Sequence, residues 1–308
     1  MKQIIKIGTR ESQLAVWQAS QVQTFLKKNG IASELIYIKS EGDVDLVTPL
    51  YELGVQGIFT KSLDAALINK RIDIAVHSFK DVPTKLADGI QQAAVLKRAS
   101  FKDIIVYKND PSFLNDKNST AVIATSSTRR IAQWLNRYPN HTIENLRGNV
   151  NTRLSKVNEN IWNGTIFAAA GLERIGLRPE NSADLDWMLP APAQGAITIV
   201  CRNDDKYSFE ISNEFNDYHT EICTKIERDF LRTLLGGCST PISALAITEN
   251  DKIIFKGNIC SVDGIKSFKI EKEVNIKDSE GLGALAANEL LQNEEALNII
   301  TNIRSAKK

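Results

Sequence analysis

Apolar positions in this chain follow two rhythms: short continuous runs, and stretches in which apolar residues return every third or fourth place. Residues 4–7 form a run that stops at the turn residues Gly8 to Ser12, which predicts a buried strand. A helical rhythm starts at Gln13, with Ala15, Ala19, Val22 and Leu26 on one face, Ser12 placed as N-cap and Gly30 at the end. Residues 35–38 predict a second strand, and 60–69 a helix with Leu63 and Leu67 on one side. Residues 72–76 predict a third strand, running into His77-Ser78-Phe79-Lys80-Asp81-Val82-Pro83, and 39–48 read as a loop. The rhythm then restarts with strands at 104–107, 122–125, 142–146 and 166–170. Between them lie a short helix after Ser126-Ser127-Thr128 and another carrying Val150, Leu154 and Val157. Strand–helix alternation of this kind predicts two α/β units, each with a largely parallel sheet.

From Tyr218 the pattern changes. A helix over 219–235, with Ile222, Ile226, Phe230 and Leu234 on one face, precedes strand-like runs at 242–248, 252–260 and 267–274. Asn250-Asp251 and Asp263-Gly264 mark the turns between those runs, and helices over 282–291 and 295–303 close a small α+β domain. The first helix ends in Gly236-Gly237-Cys238-Ser239-Thr240-Pro241. Two glycines can take the left-handed conformation that closes a helix and Pro241 cannot continue one, so Cys238 is expected on a tight turn. Taken alone, such a cysteine is most often a small gap-filler in a core.

Composition narrows the class. A chain of 308 residues, 43% apolar and 24% charged, suits a soluble protein of two or three domains. Its formal charge of +1 supplies no field for nucleic acid or membrane, and the basic segments carry no interleaved aromatics for stacking on bases. Cysteines 201, 223, 238 and 260 form no C-x-x-C pair and the three histidines are scattered, so neither a metal site nor a disulfide framework is expected. No signal-peptide hydrophobic region and no membrane-spanning run is found, and a reducing cytoplasm is the expected compartment.

The chemistry-bearing residues share one position, the end of a strand where a helix begins, which is the ligand-binding edge of an open α/β sheet. Arg10, Lys80, Asp81, Ser127, Arg129, Arg130, Arg147 and Arg153 all fall there. Helix N-termini favour anions, and arginine in place of lysine favours planar, bidentate recognition of carboxylate or phosphate. Each residue also has a plainer reading: Arg129-Arg130 as a solvated helix start, Lys80-Asp81 as a surface pair, and Arg147 or Arg153 paired with a surface acid. His77 reads as a hydrogen-bonded structural residue, and His141 and His219 as exposed. Dinucleotide and P-loop glycine fingerprints are absent from the strand-to-helix turns. The residues by themselves leave open a polycarboxylate-binding module and a cysteine enzyme acting on a polycarboxylate.

Eight segments, in order, carry a resemblance that covers the chain: KIGTRESQLAVWQA from Lys6, GDVDLVTPL from Gly42, HSFKDVPT from His77, TSSTRR from Thr125, LRGNVNTRLSK from Leu146, AAAGLERIGL from Ala168, PAPAQGAI from Pro190 and LGGCSTPI from Leu235. The chain resembles the porphobilinogen deaminase (hydroxymethylbilane synthase) family. The resemblance implies two lobes of the type 2 periplasmic-binding-protein kind plus a small α+β domain. The implied boundaries are 1–97 with 195–215, 100–192, and 218–308, with the segment around Ala196 returning to the first lobe. It implies a dipyrromethane cofactor joined to Cys238 by a thioether. Four porphobilinogen molecules condense on that primer in turn, ammonia is lost at each step, and hydrolysis releases the linear tetrapyrrole. It implies Asp81 as the catalytic carboxylate, assisting departure of the amine and stabilising the resulting cation. Arg10, Ser12, Lys80, Thr125, Ser127, Arg129, Arg130, Arg147, Arg153, Arg174, Gln194 and Arg228 are implied to hold cofactor or substrate. A monomer with no metal and porphobilinogen as its small-molecule partner is expected; the alternative is a non-catalytic two-lobed polycarboxylate-binding protein. Three positions depart from the family's commoner residues: Lys6 for arginine, Gln56 for a basic residue and Ala193 for glycine.

Overall fold

The structure, a computed structural model, describes residues 4–40, 59–234 and 240–305. Its first sheet is built from β1 (Ile5–Thr9), β2 (Ser33–Tyr37), β3 (Ile74–Ser78), β4 (Ile90–Val95) and β10 (Ile197–Arg202), in the order β2-β1-β3-β10-β4. β1 runs parallel to β2 and β3, whereas β10 runs antiparallel to β3 and β4. Helix α1 (Gln13–Lys28) packs Ala19, Val22 and Leu26 against Ile5, Ile7 and Ile74. Its N-cap is Ser12, whose Oγ accepts from the Ala15 amide, and Gly30 leaves the helix at φ +70°. Helix α2 (Lys61–Ile68) covers the opposite face through Leu63, Ala66 and Leu67.

The second sheet repeats this plan. β5 (Asp103–Tyr107), β6 (Val122–Ala124), β7 (Thr142–Glu144), β8 (Gly164–Ala168) and β9 (Ser182–Asp184) lie in the order β7-β6-β8-β5-β9, with α3 (Thr128–Arg137), α4 (Val150–Glu159) and α5 (Ala169–Glu173) on its faces. β6 is parallel to its neighbours, and β5 is the antiparallel strand. In each sheet the antiparallel strand adjoins a passage between lobes: β5 follows the outward crossing and β10 completes the return. The two crossings lie side by side, with the Ala99 amide donating to Gly195 O at 3.1 Å and Leu96 to Ile197 O at 2.9 Å.

The third sheet, β11 (Ile242–Glu249), β12 (Lys252–Cys260) and β13 (Ser267–Asn275), is a continuous antiparallel meander. Asn250 and Asp251 both take positive φ at the first hairpin, the geometry that lets a two-residue turn follow the twist of its strands. Helices α7 (Tyr218–Thr233), α8 (Leu282–Leu290) and α9 (Glu294–Ser305) pack on the sheet. Phe230 of α7 meets Phe255 of β12 edge to face at 5.3 Å. α7 and α8 approach so closely at Gly283 that a Cβ there would lie 2.1 Å from Ile226 O.

Three elements carry no clear signal in the pattern: β4, β9 and helix α6 (Lys206–Asn213). β4 holds Gln91 and Gln92, β9 is a three-residue edge, and α6 buries Ser208 and Ser212 beside Phe209 and Ile211. His141 corrects the reading of an exposed ring. It is buried, stacks on Tyr138 at 4.8 Å, accepts from Trp134 Nε1 at 3.1 Å and contacts Ser119 Oγ at 3.0 Å.

Candidate functional site

β3 is buried along Ile74–His77 and passes directly into a 3-10 turn, Phe79–Asp81. Buried Phe79 and Val82 anchor the turn, and the Phe79 amide donates to Ala196 O on the return crossing at 3.0 Å. Asp81 is thereby held at the mouth of the first lobe, half-buried. Lys80, beside it, donates to Gln194 Oε1 at 3.2 Å. The Lys80 ammonium is lowered to about 8, by burial first and by the charges of Arg130 and Arg129, while Asp81 and Asp103 oppose the fall.

The second lobe supplies the facing wall. Thr125 is buried at the end of β6, and its Oγ1 accepts from the Ser127 amide at 3.3 Å. Ser127 stands at the N-cap position of α3 without a capping bond of its own. Ser126 binds both Asn145 Oδ1, at 2.5 Å, and the Leu146 amide, at 2.8 Å, so the 125–127 and 145–148 loops are tied together. Arg129 and Arg130 are only 4% and 6% exposed, which rules out a solvated helix start. Both meet the buried carboxylate of Asp103, Arg129 Nη1 at 2.7 Å and Arg130 Nη2 at 2.7 Å. Arg147 is buried on the next loop, and Arg153, on α4, donates from Nε to Gly148 O at 2.7 Å. Burial depresses the Arg153 guanidinium to about 10. The charges of Arg130, Arg147 and Arg10 act with burial, and Asp81 opposes them. Arginines from both lobes and the single carboxylate of Asp81 therefore share one electrostatic neighbourhood.

Other predicted residues stand at its border. Arg10 lies over the Phe59 ring at 4.3 Å, and its charge, after burial, helps hold His77 near 4. Ser12 caps α1. Arg174 donates to Gly195 O at 2.7 Å and lies 5.7 Å from the Trp17 ring. Arg228 of α7 donates to the carbonyls of Val82 (2.8 Å) and Pro83 (2.6 Å) and covers Phe79 at 4.3 Å, so it grips the turn that bears Asp81. Gln194 is buried, donating to Phe101 O at 2.8 Å and Asp103 Oδ1 at 3.0 Å. Lys6 is exposed on β1, away from this cluster. Ala193 takes φ +62°, a conformation natural to glycine. Gln56 and Cys238 lie outside the described residues; Leu234 and Thr240, the described residues that flank 235–239 in sequence, are both buried. Burial pushes the thiols of Cys201 and Cys223 up to about 11 and 12 and raises Cys260, so none of these three is an activated nucleophile.

Sequence reasoning missed Asp103, Arg98 and Glu227. Arg98, at the outward crossing, donates to both Glu227 oxygens (2.6 and 3.1 Å) and to Gln194 O (2.8 Å). Glu227, fully buried on α7, also accepts from the amides of Ala193 (2.6 Å) and Ala246 (2.8 Å). The third domain is fastened to the crossings at this point. Lys97-Arg98 and Lys102-Asp103 read as ordinary surface charges, although a carboxylate at the head of the Ile104-Ile105-Val106 run is a faint signal of a buried partner.

Two lobes that gather arginines around the carboxylates of Asp81 and Asp103, with a third domain fastened at the crossings between them, define an α/β protein of three units with an arginine-rich cleft. The chain belongs to the porphobilinogen deaminase family. Residues 5–210 match the family model "Porphobilinogen deaminase, dipyromethane cofactor binding domain", and 221–292 match "Porphobilinogen deaminase, C-terminal domain". A porphobilinogen deaminase of Chlorobium phaeobacteroides is 40% identical over 312 residues, covering 99% of each chain. One from Acidithiobacillus ferrooxidans is 38% identical over 99% of this chain and 100% of its own. Among solved structures, the periplasmic VFT2 domain of Bordetella pertussis BvgS aligns at TM-score 0.42 and 13% identity, over 68% of this chain and 86% of that one. Among the described residues no helix is long and apolar enough to cross a membrane.

Proposed function

We propose that this chain is a hydroxymethylbilane synthase that condenses four porphobilinogen molecules in turn on a dipyrromethane primer, releasing ammonia at each addition and finally the linear tetrapyrrole by hydrolysis. The observation that carries the reading is the charge balance around Asp81. Among the described residues, Arg10, Lys80, Arg129, Arg130, Arg147 and Arg153 gather there around the carboxylates of Asp81 and Asp103. Burial first, and the neighbouring guanidinium charges second, depress Lys80 and Arg153, and bound carboxylates would favour their charged forms. Each pyrrole of the primer and substrate carries two carboxylates, so the donor set fits the dipyrromethane.

Cys238 holds the primer through a thioether, a bond without the exchange chemistry of a disulfide. When bound, the dipyrromethane supplies the nucleophilic pyrrole carbon on which the chain grows. Lys80, Arg129, Arg130, Arg147 and Arg153, with Arg10 from the first lobe, bind carboxylates. Ser12, Thr125 and Ser127 add hydrogen bonds at the helix N-termini, and Gln194 orients Lys80. Arg174 holds the return crossing. Asp81 faces the aminomethyl group of porphobilinogen: its carboxylate accepts the ammonium's hydrogen bonds and stabilises the positive carbon left when ammonia departs. Arg228 keeps the Asp81 backbone in place. We take residues 1–97 with 195–215, 100–192 and 218–308 as the three domains, and a cytoplasmic monomer as the working form.

Intact-protein mass spectrometry tests this directly. The purified protein should exceed its sequence mass by two linked pyrroles, Cys238→Ala should carry no adduct, and Asp81→Asn should keep the adduct and lose turnover about a hundredfold or more. A protein at its sequence mass that gains no adduct from porphobilinogen would sink the reading.

A further inference from the structure

Asp103 opens β5 beside the outward crossing and is fully buried. A lone carboxylate there would be costly, and its two oxygens are committed to protein. Oδ1 accepts from Arg130 Nε at 3.1 Å, Arg130 Nη2 at 2.7 Å and Gln194 Nε2 at 3.0 Å, while Oδ2 faces Arg129 Nη1 at 2.7 Å. The carboxylate is thus enclosed by Arg129, Arg130 and Gln194. Each guanidinium is also braced by a backbone carbonyl: Arg130 Nη1 donates to Ile166 O at 2.9 Å and Arg129 Nη1 to Leu189 O at 2.8 Å. These contacts fix the plane of each guanidinium. The Gln194 amide extends this arrangement across the hinge, with its nitrogen on Asp103 and its oxygen accepting from Lys80 of the first lobe at 3.2 Å.

We propose that Asp103 is a positioning residue for carboxylate recognition: it fixes Arg129 and Arg130 and, through Gln194, registers Lys80 of the opposite lobe with them. The role rests on the function proposed above. One negative charge is set against three cations, which keeps the wall positive while making burial of two adjacent guanidinium groups tolerable. A purely stabilising role accounts for less, because an apolar cluster of similar volume commonly matches or exceeds a buried ion pair in stability. What an apolar cluster lacks is control of direction.

The test pairs kinetics with a readout that does not depend on turnover. Competitive acylation of Lys80 followed by mass spectrometry gives the pH midpoint of its reactivity. The charged groups acting on Lys80 are Asp81 from its own turn and Asp103, Arg129 and Arg130 from the second lobe. Asp103→Asn removes a negative charge that favours the ammonium, so the midpoint should fall, by about half a pH unit or more. KM for porphobilinogen should rise about tenfold or more, with kcat changed less, as expected for lost alignment of charge-assisted bonds. Asp103→Glu keeps the charge and displaces it by one methylene, so the midpoint should stay near that of the parent while KM remains raised. Parental KM in a folded Asp103→Asn protein overturns the proposal, and if that variant does not fold, parental KM in Asp103→Glu does so. A raised KM with an unmoved midpoint overturns the link to Lys80. A parent protein without turnover would instead refute the deaminase reading, and the Lys80 midpoint would still report on the network.

Discussion

Glu227→Gln is the sharpest perturbation of the hinge. Four donors converge on the Glu227 carboxylate: Arg98 Nη1 and the Ala246 amide on Oε1, and Arg98 Nη2 and the Ala193 amide on Oε2. Glutamine keeps the shape but offers one acceptor oxygen, so its NH2 must face two of those donors. It also leaves Arg98, whose side chain is 10% exposed, without its counter-charge. Breaking a buried pair by removing one partner costs about 3–5 kcal/mol. Against a typical domain stability of about 5–15 kcal/mol that is a large fraction. At about 2–4 °C per kcal/mol for large domains it corresponds to a Tm lowered on the order of 10 °C. Scanning calorimetry or a thermal shift assay on the full chain reads it. In Arg98→Met/Glu227→Gln the stranded cation is gone, so the double variant should melt above the Glu227→Gln single. A single variant within about 2 °C of the parent, or a double variant lower than the single by the full cost of Arg98→Met, would refute the idea that the uncompensated charge is what hurts. Because α7 precedes Cys238 closely in sequence, we also expect Glu227→Gln to load less cofactor at temperatures where it remains folded.

Two further predictions concern pH and backbone. His77 is buried and held near 4, below its usual 6.5, by burial first and Arg10 second. The unfolded chain takes up its proton near 6.5 and the native one does not, so its contribution is complete above 6.5 and is lost as pH falls toward 4, about 3 kcal/mol in all. Urea unfolding at pH 7, 5 and 4 should show a shallower fall for His77→Gln than for the parent, and equal falls would exclude this residue. Gly195→Ala should be far more damaging than Gly30→Ala. Both glycines have positive φ, but a Cβ at Gly195 would lie 2.5 Å from Ser100 O and 2.9 Å from Ala99 O, whereas Gly30 has open space. We expect about 1–2 kcal/mol at Gly30 from conformation alone and severalfold more at Gly195, read by the same unfolding experiment.

Periodicity carried the main strands and helices because their buried faces are apolar. β11 to β13 were legible almost to the residue, since Asn250-Asp251 and Asp263-Gly264 punctuate alternating runs. β4, β9 and α6 escaped because their apolar residues are small, few or interrupted: Gln91 and Gln92 split Ile90 from Ala93 in β4, β9 is three residues long, and α6 brings only Phe209 and Ile211 to the core beside buried Ser208 and Ser212. The site divided the same way. Strand ends marked Arg10, Lys80, Asp81, Arg129, Arg130, Arg147 and Arg153, since local rhythm places them. Which arginines are braced by protein and which border open space is a tertiary fact. The partner of Arg130 lies 27 residues away at Asp103, and that of Arg98 lies 129 away at Glu227. No local pattern distinguishes such charges from solvated ones.

The crossings explain why these separate features belong to one device. Within three residues of the return, Ala193 donates its amide to Glu227, Gln194 spans Lys80 and Asp103, and Gly195 offers its carbonyl to Ala99 and Arg174. The third domain, the first lobe and the second lobe are thus addressed by consecutive residues. Adjacent peptides can point in such different directions only if the backbone turns sharply, and both Ala193 (φ +62°) and Gly195 (φ +84°) are left-handed. For Ala193 that conformation costs about 1–2 kcal/mol, which the buried amide–carboxylate bond to Glu227 helps offset. A relaxed backbone at Ala193 would turn its amide away from Glu227 and disturb Gln194. The strain at this residue therefore belongs to the mechanism by which the cysteine-bearing domain, Lys80 and the arginine wall keep a common register.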